Sequence, residues 1–242
     1  MNEITLNKMT KMKLFGMLNS FKTTIQTGGN HNLTNDQIVS MLIQAEWEDR
    51  ENRRLNRYLK TARFRYQASV EEIDFSHQRA LDQNQIIRLA DCSFIQRKEN
   101  ILITGSTGAG KSYIATAIGH QACLKGFSVL YFNAQKLFPN LKMLKADETY
   151  LKEINRIAKH DLLILDDFGL QKLDSYSRSA LLEIMEDRHA LKSTIISSQL
   201  PIDKWYELIG ESTVADAILD RIINTSHRIN LKGESMRKKE KC

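Results

Sequence analysis

Four short segments of this chain carry side chains suited to phosphate chemistry. The first is GSTGAGKS, Gly105 to Ser112, which fills every fixed position of the spacing G-x-x-x-x-G-K-[ST]. Gly105, Gly108 and Gly110 let the backbone turn successive amide N–H groups toward one point, where phosphate oxygens can be held. A helix beginning there adds its unpaired N–H donors and the positive end of its dipole. Lys111 is placed to reach β and γ phosphates, and the Ser112 hydroxyl to ligate Mg2+. An ordinary glycine turn before a helix is the plainer reading, and the complete pattern argues against it.

The second segment is Asp161 to Asp167, an apolar run ending in paired carboxylates, with Asp166 55 residues beyond Lys111. Asp166 is expected to hold magnesium through its water shell, completing the site begun by Ser112, and Asp167 to polarise an attacking water. Alone, such a pair could equally cap a helix or solvate a turn. The third segment, Thr194 to Gln199, ends a strand in polar groups, so that Ser198 or Gln199 would sit beside the γ-phosphate; a plain polar strand end is the alternative. The fourth, ADAILDRI from Ala215, is a helix presenting Arg221, a candidate arginine finger for a neighbouring subunit. Its plainer role is a surface residue beside Asp220.

These residues need a scaffold of strands ending at one edge. Short apolar runs at Asn100–Thr104, Ser128–Phe132, Asp161–Leu165, Ser193–Ser197 and His227–Leu231 read as strands, and helical patterns separate them. That alternation predicts a layered α/β domain with a mostly parallel sheet. Upstream, Met9, Met12, Leu14, Met17, Leu18 and Phe21 recur at helical spacing, predicting one helix from Leu6 to about Thr27, with a break at 28–32. Thr34 and Gln37 then form a capping box, opening a long helix to about Tyr66. On that helix Arg50, Arg53, Arg54, Arg57, Lys60 and Arg65 share an arc of roughly 140°, opposite Leu55, Tyr58, Leu59, Ala62 and Tyr66. Ser69–Phe75 reads as an extended entry segment and Leu81–Ile95 as a helix. The expected boundary lies near residue 70, giving a helical domain over 1–70 and a nucleotide-binding domain over 71–242.

Composition narrows the class. The 242 residues are 42% hydrophobic and 26% charged, and no apolar run approaches the ~18 residues that span a bilayer. No secretory signal is read at the N-terminus, so a cytoplasmic location and no membrane contact are expected. Cys92, Cys123 and Cys242 are too scattered for a disulfide framework or zinc cluster, and the six histidines are equally dispersed. Net charge is +6, unevenly spread: residues 1–98 carry 15 basic and 11 acidic groups, 99–227 carry 14 and 16, and 228–242 carry 6 and 2. A slightly acidic middle between basic ends suggests a nucleic acid partner.

Taken together, GSTGAGKS, LLILDDFG, STIISSQLP, ADAILDRI and LKGESMRKK resemble the IstB-like ATP-binding family, a branch of the AAA+ ATPases close to the DnaC helicase loaders. The resemblance covers nearly the whole chain. It implies a small all-helical N-terminal domain before a AAA+ core of five parallel strands, and a helper ATPase of insertion-sequence transposition that assembles on DNA and recruits or activates a transposase. It assigns ATP binding to Gly105, Ser106, Thr107, Gly108, Ala109, Gly110, Lys111 and Ser112, with Tyr113 adjoining. It assigns Mg2+ to Ser112 and Asp166, hydrolysis to Asp167, sensing to Gln199 and trans-acting charge to Arg221. Two departures stand out. Asp167 replaces the longer glutamate usual in AAA+ proteins, and the fifteen residues after His227 are too few for a helical lid, so a lid-borne sensor arginine is missing and Arg237 is a candidate substitute.

The implied partners are double-stranded DNA, the transposase of the same insertion sequence, and further copies of this chain that complete the ATP sites. DNA contact is expected from Arg50, Arg53, Arg54 and Arg57, and from Lys142 and Lys145 in an insertion that resembles the DNA-contacting helix of related initiators. A solvated charge run is the alternative. Two other functions share the motif set: a helicase loader, and a nucleotide-binding DNA scaffold with little turnover.

Overall fold

The computed structural model describes residues 2–27, 33–75, 80–233 and 235–236; Arg237, His31, His77, Cys242 and the break at 28–32 lie outside them. By packing, the chain forms two compact units, Met1–Arg57 and Tyr58–Cys242. The division falls inside the third helix. None of the described helices is long and apolar enough to cross a membrane.

The first unit holds α1 (Asn2–Lys11), α2 (Phe15–Thr27) and most of α3 (Asn35–Ala62). The single helix expected over 6–27 is two, because Lys13 takes a left-handed φ of 59° and the Met12, Lys13 and Leu14 amides bond back onto the last turn of α1. Apolar spacing continues through this break, so periodicity could not reveal it. α3 opens with the capping box: Gln37 N–H donates to Thr34 Oγ1, and Thr34 N–H to Gln37 Oε1. It closes at Ala62, short of Tyr66, where Arg63 at φ 55° turns the chain. α2 packs closely on α3 at Gly16, where a Cβ would lie 2.2 Å from the Ala45 carbonyl oxygen. The Gly16 and Met17 amides both donate to Glu46 Oε2, and Arg50 donates to Oε1 at 2.7 Å. Burial pushes the Glu46 carboxyl upward, but these bonds outweigh it and hold it below the usual carboxylate range.

In the second unit, α4 (Gln83–Ala90) and α5 (Ser93–Gln96) precede β1 (Asn100–Gly105) and α6 (Lys111–Leu124). The helix expected over 81–95 is thus divided at Cys92, φ 61°. No strand forms over 69–75; a turn from Val70 to Ile73 takes its place. Then come β2 (Val129–Asn133), α7 (Ala134–Ala146), α8 (Tyr150–Lys159), β3 (Leu162–Phe168), α9 (Ser175–Arg188), β4 (Ser193–Ser198), α10 (Trp205–Ile209), α11 (Ser212–Ile223) and β5 (Ser226–Leu231). Among the described residues β5 is the last regular element.

The five strands form one parallel sheet in the order β2-β3-β4-β1-β5. Parallel connections send helices across both faces of the sheet, so the middles of the central strands are apolar and enclosed: Ile101–Ile103 and Leu162–Leu165 are fully buried, whereas edge strand β5 carries exposed polar side chains. One face, with Leu102, Leu163, Leu165 and Ile196, packs on α7, α9 and α11. The other meets α6, whose Gly119 lies against Ile164. Each such buried side chain contributes about 1.5–3 kcal/mol, enough to hold the strand ends in fixed register. In a sheet of this kind the crevice beyond the carboxyl ends of the strands is where ligands bind.

Candidate nucleotide-binding site

The loop after β1 is shaped by its glycines. At Gly105 a Cβ would approach the Leu231 carbonyl oxygen of neighbouring β5 to 2.5 Å, and at Gly108, φ 80°, it would strike Ser235 Oγ at 2.0 Å. Gly110, φ 93°, precedes α6 directly, so the first amides of that helix face the loop. Lys111 is 5% exposed and its Nζ donates to the Gly105 and Ser106 carbonyls at 2.9 and 2.8 Å, bracing the loop from within. Ser106 Oγ donates to the Gly233 carbonyl and Met236 N–H to the Gly108 carbonyl, so the segment after β5 lies along the loop.

β3 and β4 bring the acids. Asp166 is fully buried, yet three hydroxyls converge on it: Ser112 Oγ at 2.8 Å and Ser197 Oγ on Oδ1, and the Tyr131 phenol on Oδ2. Burial and then the Asp166 carboxylate push the Tyr131 phenol well above its ordinary value, so it stays a donor. At Asp167 the β3–β4 register slips between Leu165 and Phe168. Asp167 takes a left-handed φ of 57°, tolerable for Asp, and its amide donates to Ser197 Oγ at 3.2 Å. This turn aims its carboxylate into the crevice. There Oδ2 accepts from Asn133 Nδ2 at 2.9 Å and meets Arg65 NH1 at 3.4 Å.

Of the two sensing candidates, Ser198 is buried and accepts the Leu200 amide, which shapes the turn after β4, whereas Gln199 Oε1 accepts from Thr107 Oγ1 at 2.7 Å and so touches the loop. Tyr113 donates to Glu72 Oε2 at 3.0 Å; burial and then Glu72 raise its phenol. A cleft of about 470 Å3 runs between these groups, lined by Thr107, Gly108, Lys111, Ser112, Asp167 and Gln199 among others. The donor set suits a triphosphate with a magnesium ion: glycine amides and lysine for phosphate oxygens, a serine hydroxyl backed by a buried carboxylate for a hard cation.

The remaining candidates lie elsewhere. Arg221 sits at the opposite end of the sheet, where its carbonyl accepts from Asn100 at the start of β1; its guanidinium bonds the Ala217 carbonyl and Glu186. In the first unit Arg50 pairs with Glu46, Arg53 with Asp49 and Arg54 with Glu51. Lys142 reaches Asp174 at 3.8 Å, and Lys145 lies over the Tyr150 and Tyr176 rings. Tyr131 and Asn133 belong to the site without any motif to mark them, because it is the pairing of β2 with β3 that brings them to the two acids. Arg65, expected on the basic arc of the long helix, lies beyond its end at Ala62 and lines the cleft.

A parallel five-stranded sheet of this order, with a glycine loop after β1 and paired acids closing β3, defines a AAA+-type phosphate-loop protein. The chain belongs to the family described as IstB-like ATP binding protein, whose model matches residues 7–242. It is similar to the insertion sequence ATP-binding protein y4pL of Sinorhizobium fredii, 41% identical over 98% of this chain and 97% of the relative. It is also similar to the IS1162 ATP-binding protein of Pseudomonas fluorescens, 37% identical over 83% of this chain and 87% of the relative. Among solved structures, the fold is shared with DnaI (24% identity, TM-score 0.58, 69% of this chain and 92% of that one) and the DnaC helicase loader (22%, 0.52, 73% and 99%).

Proposed function

We propose that this chain is an ATPase of insertion-sequence transposition: it binds ATP with Mg2+, assembles with further copies on double-stranded DNA, and recruits or activates the transposase of its element. The observation that carries the reading is the convergence of Lys111, Ser112 and Asp167 on one cleft, with buried Asp166 directly behind Ser112, in a chain whose relatives are named for insertion sequences.

Each residue has a distinct task. Loop amides and Lys111 hold the β and γ phosphates; Lys111 need only exchange two carbonyl oxygens for phosphate oxygens. Ser112 and Asp166 hold the magnesium shell, and the ion supplies charge neutralisation at the phosphates. Asp167 takes the proton of a water whose oxygen bonds the γ-phosphorus as the bond from that phosphorus to the β-phosphate oxygen breaks. Gln199, tied to Thr107, registers the phosphate's presence at the loop. The Arg221 guanidinium lies away from its own cleft, on the Ala217 carbonyl and Glu186, a position that fits a charge offered to a neighbour's site within an assembly. Lys142 and the α3 arginines contribute DNA contacts in the cytoplasm.

Sedimentation of the protein on a short duplex tests this reading. A nonhydrolysable ATP analogue should drive assembly and ADP should not, and Arg221→Ala should assemble poorly despite binding nucleotide. Assembly indifferent to nucleotide would refute it. The fold is also that of the DnaC helicase loader. A loader, the second reading, would capture a replicative helicase rather than a transposase.

A further inference from the structure

Beyond α3 the chain runs Arg63-Phe64-Arg65-Tyr66, turned at Arg63 and anchored by Phe64. Phe64 meets Tyr131 edge-on, with ring centroids 6.4 Å apart, and its Cε1 lies 3.0 Å from where a Cβ on Gly119 would stand. The lack of a side chain at Gly119 gives the ring its room. With Phe64 seated, Arg65 enters the nucleotide cleft, sharing its wall with Lys111, Ser112 and Gln199. NH1 reaches Asp167 Oδ2 at 3.4 Å, on the oxygen already bonded by Asn133, and the guanidinium carbon lies 5.2 Å from the Tyr66 ring centre.

That contact is a weak one. Charge-assisted bonds from guanidinium to carboxylate run near 2.7–2.9 Å, and the Arg65 side chain is 49% exposed, so little holds it on Asp167. A terminal phosphate carries more charge than a carboxylate and can take both arms of the guanidinium fork, whereas at Asp167 NH1 alone reaches an oxygen that Asn133 already occupies. The same cation also sits on the acid that must accept a proton from water.

We propose that Arg65 reads the γ-phosphate in cis: with a triphosphate in the cleft its guanidinium leaves Asp167 for the terminal phosphate, and with a diphosphate it stays on Asp167. The exchange frees Asp167 when there is a bond to hydrolyse and covers it when there is none. Because Arg65 lies just past the end of α3, phosphate state is reported to a segment continuous with the N-terminal helices. The inference rests on the reading of the cleft as an ATP site.

Equilibrium binding of fluorescent ADP and of a fluorescent nonhydrolysable ATP analogue, with Mg2+, decides it for wild type, Arg65→Ala and Arg65→Lys. Loss of Arg65 should weaken the analogue by about tenfold or more and leave ADP within about twofold, with Lys intermediate. The loss should persist in an Asp167→Asn background, since Arg65 binds phosphate itself; a loss that vanishes there would mean that Arg65 acts only through Asp167. Equal changes for both nucleotides, or none, would overturn the proposal. Should Arg65→Ala not fold, the same ratio measured on Arg65→Lys decides. Wild-type protein that binds neither nucleotide would instead sink the ATP-site reading.

Discussion

The Ser112 hydroxyl donates to the buried carboxylate of Asp166 across 2.8 Å, joining the first turn of α6 to the end of β3. Ser112 therefore has its orientation set by an acid that is itself fixed by Ser197 and Tyr131. Removing the hydroxyl in Ser112→Ala should leave nucleotide binding in EDTA nearly unchanged and abolish its strengthening by Mg2+. Titration of a fluorescent nucleotide with and without the ion checks this; equal Mg2+ effects in both proteins would remove Ser112 from the ion's shell.

Tyr131→Phe keeps the ring that Phe64 packs on but deprives a fully buried carboxylate oxygen of its donor. An unsatisfied buried acceptor costs about 1–3 kcal/mol, and partners behind a metal site typically contribute ~10–100-fold in metal affinity. Thermal unfolding should fall by several degrees and Mg2+ should bind more weakly. An unchanged midpoint would show that the bond contributes nothing net.

The first unit should loosen in acid through Glu46. Its folded pKa is depressed, so its contribution is complete above the ordinary carboxylate value of 4.5 and is lost as pH falls through the lower folded value. Circular dichroism from pH 7 to pH 3 should show a loss of helix that Glu46→Gln makes less steep. Identical profiles would assign acid lability to other carboxylates.

Charge on α3 is more balanced than its arginines suggest, since Arg50, Arg53 and Arg54 each have an acidic partner within one turn. If DNA phosphates replace those partners, reversing Arg54 and Arg57 to Glu should lower the slope of log affinity against log salt by ~0.9 for each phosphate no longer neutralised, as should Lys142→Glu. Fluorescence anisotropy on a duplex measures this; unaltered slopes would exclude these positions from the interface.

Much of the site was legible because its parts are contiguous. GSTGAGKS specifies its own turn, and the apolar run before Asp166 specifies a strand whose end must lie beside it in a parallel sheet. What escaped was set by single backbone residues and by strand order. Lys13, Arg63 and Cys92 end helices at left-handed φ although none is the glycine that usually marks such a position, so helical spacing ran on past them. Tyr131 and Asn133 matter only because β2 pairs with β3, which apolar spacing cannot say. Helical spacing places Arg65 on the basic face of α3, and the helix ends four residues short of Tyr66, which sends Arg65 to the cleft instead.

Phosphate release in the presence of duplex DNA, compared between wild type and Asp167→Asn, tests the central claim most directly. Asparagine keeps the size of the side chain and an oxygen for Asn133 and Arg65 but cannot take a proton from water. The account predicts a fall of about 100-fold or more, with nucleotide binding retained. Equal rates in the two proteins would contradict it.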